Sequence, residues 1–319
     1  MINIGLDVMG GDFAPEVTVI GAILAFGQLC TDARIVLVGD LKAINEICKR
    51  EGFDPSRFDI VDAPDTIQMG DHPVKAFSQR TNSSIYVGYE LLSEGKLDAF
   101  ASAGSTGAMM VGAMNKVKTI PGIIRPGIAI AAPRLDGGAN ILIDVGLNPD
   151  CKPDVLYQYG LLGSLYAEFV YNIPNPRVAL LNIGAEAEKG DNLTKLTHPL
   201  MAASKDYNFI GNVEGHEVFL NSADVIVCDG FVGNVILKAA EGFNHILQHR
   251  GISDNFFDSF NPDNYGGTPV LGINANVLIG HGASNSVAIK NMILLAQEVI
   301  HADLPSKIKK FFTSGNEHN

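Results

Sequence analysis

The chain has 319 residues, 46% of them hydrophobic and 18% charged, and carries a net charge of −12. That much apolar material excludes a disordered chain, and the acidic balance argues against nucleic-acid binding. No run approaches the roughly 18 apolar residues of a membrane helix, and the start MINIGLDVMGGD lacks the basic and apolar regions of a signal peptide, so a cytoplasmic protein is expected.

Short β-branched runs alternate along the chain with longer helical patterns. Strand Ile2–Val8 precedes helix Glu16–Leu29, whose first turn follows Pro15. Strand Ile35–Gly39, helix Leu41–Glu51, strand Phe58–Val61, helix Ser83–Glu94, strand Ala99–Ala103 and helix Thr106–Lys118 come next. Strands Ile128–Ala132 and Ile141–Val145 lead to helix Val155–Val170, then strand Val178–Ile183 and helix Asn192–Lys205. Strand Asp224–Cys228, helix Val232–Gln248, strand Val277–Ile279 and helix Asn285–Ala302 complete the pattern. Several strands are apolar on both faces, as in a parallel sheet covered by helices. The expectation is a three-layer αβα fold with a largely parallel central sheet. Residues 1–319 are expected to form one α/β catalytic domain, and the length also permits two lobes sharing one sheet.

The four cysteines, Cys30, Cys48, Cys151 and Cys228, form no CxxC pair and no zinc spacing. Reduced, mostly buried thiols and no metal or cofactor are expected. Ala99 to Leu135 contains no Asp or Glu but holds Lys116, Lys118, Arg125 and Arg134. Two readings stand: cations reserved for an anionic partner, or a half-buried segment with few charges.

In such folds ligands bind where strands end and helices begin, and four strand ends share a glycine-rich pattern. They are Asp7-Val8-Met9-Gly10-Gly11-Asp12, Ala103-Gly104-Ser105-Thr106-Gly107-Ala108, Asn182-Ile183-Gly184 through Lys189-Gly190, and Cys228-Asp229-Gly230-Phe231-Val232-Gly233-Asn234. Glycine lets backbone approach a ligand closely, and helix starts offer free N–H groups to anions. A phosphate loop, G-x-G-x-x-G, H-E-x-x-H and G-x-S-x-G are all absent. His216 beside Glu217 reads as a helical surface pair. A small anion such as phosphate is the expected ligand.

The segments LDVMGGDFAPE, ASAGSTGA, IPGIIRPGIA, LIDVG, LLNIGAEAEKG, FIGNVEG, CDGFVGNVILK, NYGG and GHGASN follow the order of the bacterial phosphate acyltransferases, and the chain resembles that family from Ile2 to about Asn285. The resemblance implies that acyl-[acyl carrier protein] and inorganic phosphate become acyl phosphate and free carrier at the entry to phospholipid synthesis. It also implies a homodimer, a downstream membrane glycerol-phosphate acyltransferase as partner, peripheral membrane contact, and a fold similar to the isocitrate/isopropylmalate dehydrogenase and phosphotransacetylase group. Ser105 stands where the family usually has Asn, and the stretch His249–Asp263 is shorter than the family's amphipathic helical pair before Asn264-Tyr265-Gly266-Gly267. Without that pair, membrane contact loses its usual support.

Phosphate attacks a thioester without help from a Ser or Cys nucleophile, and a thiolate leaves readily. The site must hold phosphate and stabilise an oxyanion. The expected anion cradle is Gly10, Gly11, Gly104, Ser105, Thr106 and Gly107, with Lys189 supplying positive charge and Asn234 donating to substrate. Asp7, Asp12 and Asp229 either orient donors or cap turns and helices, and Glu186 and Glu188 are solvated. Lys116, Lys118, Arg125 and Arg134 are candidates for docking an acidic carrier protein. His281 and Asn285 either meet the carrier's phosphopantetheine or satisfy local backbone. A short-chain phosphotransacetylase using acyl-CoA and a non-catalytic anion binder are the alternatives.

Overall fold

Strands that are apolar on both faces are stable only where helices cover both sides. The computed structural model describes residues 1–261, 264 and 266–314 and follows that rule. Its strands are β1 Ile2–Asp7, β2 Ala33–Gly39, β3 Asp59–Asp62, β4 Ala99–Ser102, β5 Gly127–Pro133, β6 Ala139–Ile143, β7 Arg177–Asn182, β8 Asn208–Glu214, β9 Val225–Val227, β10 Thr268–Leu271 and β11 Asn276–Ile279. All nine expected strands occur, with ends within two residues of their predicted positions. The chain divides into two units, Met1–Thr119 with Pro262–Pro305 and Ile120–Asn261 with Ser306–Asn319. Each is a mostly parallel sheet flanked by helices, an α/β arrangement.

In the first unit the strand order is β3-β2-β1-β4-β11-β10. Neighbours are parallel except β10 against β11. Period-2 alternation sends Ile4 and Leu6 of β1 and Ala99 and Ala101 of β4 to one face. There they share a core with Val19 and Ala22 of helix Glu16–Phe26 and Ile289 and Met292 of helix Ser286–His301. The opposite face carries Phe100, which packs on Gly88 of helix Ser84–Ser93, where a Cβ would meet the ring at 2.1 Å.

In the second unit the order is β5-β6-β9-β7-β8, parallel except β5 against β6. Helix Pro153–Val170 approaches β9 through Gly163, where a Cβ would meet Val225 at 2.5 Å. Helix Gly230–His249 approaches through Gly233, where a Cβ would lie 1.9 Å from the Asp144 carbonyl oxygen.

The structure departs from expectation where local signals are weak. Strand β8 is interrupted by Gly211 at φ +104°, its register shifts against β7, and most of it is only half-buried, so the alternation is blurred. Strand β10 carries Pro269, which argues against a strand. The expected helix Thr106–Lys118 is α-helical to Gly112, then widens into a π turn over Ala113–Val117. Helices Pro73–Gln79, Asn255–Asp258 and Leu304–Ser314 are additional. His216 and Glu217 lie in a single 3-10 turn rather than a longer helix, and the Glu217 carboxylate accepts the Glu214 N–H at 2.9 Å. Within the NYGG segment Tyr265 lies outside the described residues, as do Pro262 and Asp263 before it. Among the described residues no helix is long and apolar enough to cross a membrane.

Backbone as close as that at Gly233 leaves no room for a methyl group. Gly233→Ala should lower stability by about 1–3 kcal/mol through overpacking, read as a lower denaturant midpoint with an unchanged slope.

Candidate active site

Parallel neighbours end at the same edge of their sheet, so the turns after them are gathered there. In the first unit this brings together the turns after β1, β4 and β11. Asp7 closes β1 and is fully buried. Its carboxylate accepts the Met9 N–H at 3.0 Å and the Ser102 hydroxyl at 2.6 Å. The Ser102 oxygen in turn accepts the Gly104 N–H at 2.9 Å. A Cβ on Gly10 would lie 2.3 Å from the Asp7 carboxylate and 2.7 Å from the Gly104 nitrogen, so only glycine permits this approach. Gly11 has φ +115°, and Asp12 donates its N–H to the Gly282 carbonyl at 2.7 Å.

The remaining residues of the expected cradle play more local parts. Ser105 is buried and caps helix Thr106–Gly112, its hydroxyl accepting the Ala108 N–H at 3.4 Å. The hydroxyl position that replaces the family's Asn is thus turned into the helix start. Gly107 leaves room for Pro73, which a Cβ would meet at 2.6 Å. Thr106 is exposed at the first helical position. His281 accepts the Ala283 N–H at 3.2 Å, and Asn285 caps helix Ser286–His301 through Val287 and Ala288.

In the second unit the turns after β6, β7, β8 and β9 share an edge. Lys189 is exposed and, among the described residues, its ammonium has no hydrogen-bond or ion-pair partner. Its stem lies against Gly184, where a Cβ would meet Cγ at 2.8 Å. Asn182 clamps the loop, accepting the Ile183 N–H at 2.8 Å and donating to the Lys189 carbonyl at 3.1 Å. Asn212 holds the other limb by donating to the Glu186 carbonyl at 2.9 Å. Glu186 and Glu188 are exposed. Gly190, at φ +99°, leaves no space for a side chain between Asn182 and Thr194.

Asp229 is the N-cap of helix Gly230–His249 and accepts the Val232 N–H at 2.8 Å. Asn234 is half-buried and gives one amide hydrogen to the Val145 carbonyl at 3.1 Å, which leaves its second hydrogen and its oxygen for other partners. This turn rests on the loop after β6. That loop is organised by Asp144, fully buried, which accepts N–H groups from Gly146, Leu147 and Asn148 at 3.2, 3.0 and 2.8 Å. Gly230 donates its N–H to the Asn148 carbonyl at 2.8 Å. Ser102, Asp144, Asn148 and Asn212 were not singled out from the sequence, and Asn182 entered only as the first residue of its glycine-rich turn. One signal was available for Asp144, since LIDVG repeats the Asp-Val-then-Gly pattern of LDVMGG.

The four candidate docking cations divide. Lys116 donates to Glu90 at 2.5 Å and to the Tyr86 hydroxyl at 3.0 Å. Arg134, with its side chain 16% exposed, pairs with Asp136 at 2.8 Å and lies 3.8 Å from Asp224. Lys118 and Arg125 are exposed, and Arg125 donates to the Asp150 carbonyl at 3.0 Å. The carboxylates missing from the Ala99–Leu135 run are thus supplied in part from just outside it. All four cysteines are free and only Cys30 is exposed. Burial pushes the Cys151 thiol up to about 12, with the Asp144 charge adding to the effect, so it is not a nucleophile. Among the described residues no group of His, Cys, Asp or Glu could hold a metal ion.

Comparison with known proteins identifies the lineage of the chain that carries these turns. Residues 2–307 match the family described as "Fatty acid synthesis protein". A phosphate acyltransferase of Dictyoglomus thermophilum is 40% identical over 326 residues, covering 96% of each chain. The chain belongs to the phosphate acyltransferase family. It is an enzyme of that class, and its chemistry is acyl transfer with phosphate. A phosphotransacetylase from Streptococcus pyogenes superposes with a TM-score of 0.67 at 17% identity over 94% of each chain. A 4-hydroxythreonine-4-phosphate dehydrogenase from Burkholderia phymatum does so at 0.53 and 16% identity, over 95% of this chain and 98% of its own. Both likenesses concern the fold, and the second joins the family to dehydrogenase-like α/β proteins.

Burial raises the Asp7 pKa above its ordinary 3.8, against the lowering pull of hydrogen bonds from Ser102, Ser84 and the backbone. A folded pKa above the unfolded one contributes stability that is complete below 3.8 and is lost as pH rises through the folded value. Stability of the parent chain should therefore fall from about pH 4 upward relative to Asp7→Asn, whose profile should be flatter. Denaturation midpoints measured across that range decide it, and parallel profiles would exclude a raised Asp7.

Proposed function

We propose that this enzyme transfers the acyl group of an acyl-[acyl carrier protein] to inorganic phosphate, releasing acyl phosphate and free carrier at the entry to phospholipid synthesis. A phosphate oxygen attacks the thioester carbonyl carbon, the carbonyl oxygen takes up negative charge, and collapse breaks the C–S bond and expels the carrier thiolate. No protein nucleophile is consumed, which agrees with thiols that are buried or peripheral.

The observation that carries this reading is Lys189. An ammonium with no partner among the described residues, on a loop whose backbone is clamped by Asn182 and Asn212, is a positive charge available to an anion. Lys189 serves phosphate or the oxyanion, and Asn234 donates its remaining amide hydrogen to substrate. Asp229 acts through the helix it caps. In the first unit Gly10, Gly11, Gly104, Thr106 and Gly107 offer backbone to phosphate, with Ser105 holding the helix start. Asp7 and Ser102 position the Gly104 turn.

Lys118 and Arg125 are the cations available to an acidic carrier protein, while Lys116 and Arg134 are engaged by carboxylates. A homodimer agrees with helix Gly230–His249, which exposes Phe231, Val235, Phe243 and Ile246 at 63, 52, 59 and 55%. A cytoplasmic site of action, with peripheral contact to the membrane enzyme that consumes acyl phosphate, completes the reading.

Purified protein given acyl-[acyl carrier protein] and phosphate should form acyl phosphate, trapped as the hydroxamate, and acyl-CoA should substitute poorly. Lys189→Ala should lower kcat/KM by about 100-fold without loss of fold, the scale of one oxyanion-stabilising group. Acyl phosphate formed by this variant at the parental rate removes Lys189 from the mechanism.

Carrier docking is tested separately. Lys118→Glu and Arg125→Glu should each raise KM for the carrier substrate several-fold and flatten its dependence on salt, leaving kcat intact. A carrier KM indifferent to both charge reversals and salt counts against these two residues.

A further inference from the structure

Within the second unit, the ends of β7 and β8 and the start of helix Gly230–His249 border an open cavity of about 420 Å³. Its volume lies in the range of small-molecule sites, roughly 300–1,000 Å³. Three of the segments that carry the family resemblance build it. LLNIGAEAEKG supplies Leu181, Asn182, Ile183 and Gly190, FIGNVEG supplies Glu214 and Gly215, and CDGFVGNVILK supplies Val232 and Ile236. Asp191 and Thr194 complete the wall.

The polar side chains of this wall are bonded in part to their own loops, and the carboxylates of Asp191 and Glu214 keep spare acceptor capacity. Both ends of the Asn182 amide are hydrogen-bonded to the loop. Asp191 accepts the Thr194 N–H at 2.8 Å and its hydroxyl at 2.9 Å. The Glu214 carboxylate accepts the Glu217 N–H. Most of the remaining wall is hydrocarbon from Leu181, Ile183, Val232 and Ile236. Ile183 is 79% exposed and Val232 38%, so neither finds its packing partner within the protein. Gly190, in the wall, adjoins Lys189, so the apolar surface begins on the loop that carries the unpartnered cation.

We infer that this cavity takes the hydrocarbon chain of a long-chain acyl thioester. The inference rests on the acyl-transfer reading above and adds to it the place that measures chain length. The spare hydrogen-bonding capacity of these side chains is confined to Asn182, Asp191 and Glu214, so an occupant rich in polar groups would leave most of those groups unpaired. A chain of methylene groups needs no hydrogen-bond partner, and it covers Ile183 and Val232 from water.

The test fills the cavity. Val232→Trp and Ile183→Trp are compared with Leu200→Trp, an exposed apolar position on helix Asn192–Ala202 outside the wall. Ile183 is so exposed that its variant should not disturb the core. With hexadecanoyl- and butanoyl-[acyl carrier protein] as substrates, either cavity variant should lower kcat/KM at least about tenfold for the long chain. Little change is expected for the short chain or in the KM for phosphate, and Leu200→Trp should behave as the parent. Equal losses for both chains, or none, overturn the assignment. Calorimetry with hexadecyl-pantetheine, an unreactive thioether, separates this from the reaction itself. The parent should bind it, and Val232→Trp should bind at least about tenfold more weakly. A parent that binds hexadecyl-pantetheine but forms no acyl phosphate refutes the proposed reaction and leaves the cavity assignment standing. A parent that forms acyl phosphate but does not bind the thioether refutes the cavity assignment alone.

Discussion

Parallel pairing is the constraint on which the rest of this protein depends. Parallel neighbours need crossover connections, and right-handed crossovers return each strand to the same end of the sheet. Every turn after a parallel strand therefore opens at one edge. In the first unit that edge holds Asp7–Asp12, Ala103–Gly107 and Gly280–Asn285. In the second it holds Asp144–Asn148, Ile183–Gly190, Glu214–Gly215 and Cys228–Asn234. Segments far apart in the chain thus become neighbours through pairing alone.

Within each unit a buried aspartate converts this gathering into a defined shape. Asp7 and Asp144 both end or follow a strand, both are fully buried, and neither forms an ion pair among the described residues. Each meets the cost of burial by accepting backbone N–H groups or a hydroxyl that serves one. The glycines beside them are required by distance, since a side chain on Gly10, Gly230 or Gly233 would overlap backbone or carboxylate atoms. Much of what resembles a ligand motif in the sequence is therefore scaffolding. Asp229, Ser105 and Asn285 cap helices, and Gly107 makes room for Pro73.

Removing the capping side chains from the candidate substrate contacts leaves, in the second unit, a short set of side chains with unused capacity. Lys189 has its whole ammonium among the described residues, Asn234 part of its amide, and the cavity behind Gly190 a largely apolar wall. A cation on a clamped loop beside a largely apolar space suits a substrate whose reacting end develops negative charge and whose remainder is apolar, and an acyl thioester has that character.

The sequence by itself determined the fold class and most of its elements. Period-2 apolar runs and helical patterns are local signals, and nine strands could be read from them. Motif order was sufficient to recognise the family, because several glycine-rich segments in one sequence order are specific as a set. Strands β8 and β10 escaped because Gly211 and Pro269 break the local pattern while pairing supplies the missing stability. Only the tertiary structure decided which turns converge, that Lys116 and Arg134 are engaged by Glu90, Asp136 and Asp224, and that Asn182 and Asn212 hold the Lys189 loop. Partners such as Asn212 and Glu186, or Asp7 and Ser102, are separated by 26 and 95 residues, and such contacts leave no periodic trace in the chain. The glycine-rich turns announced an anion, and long-range pairing alone determined which of their side chains remain free to meet one.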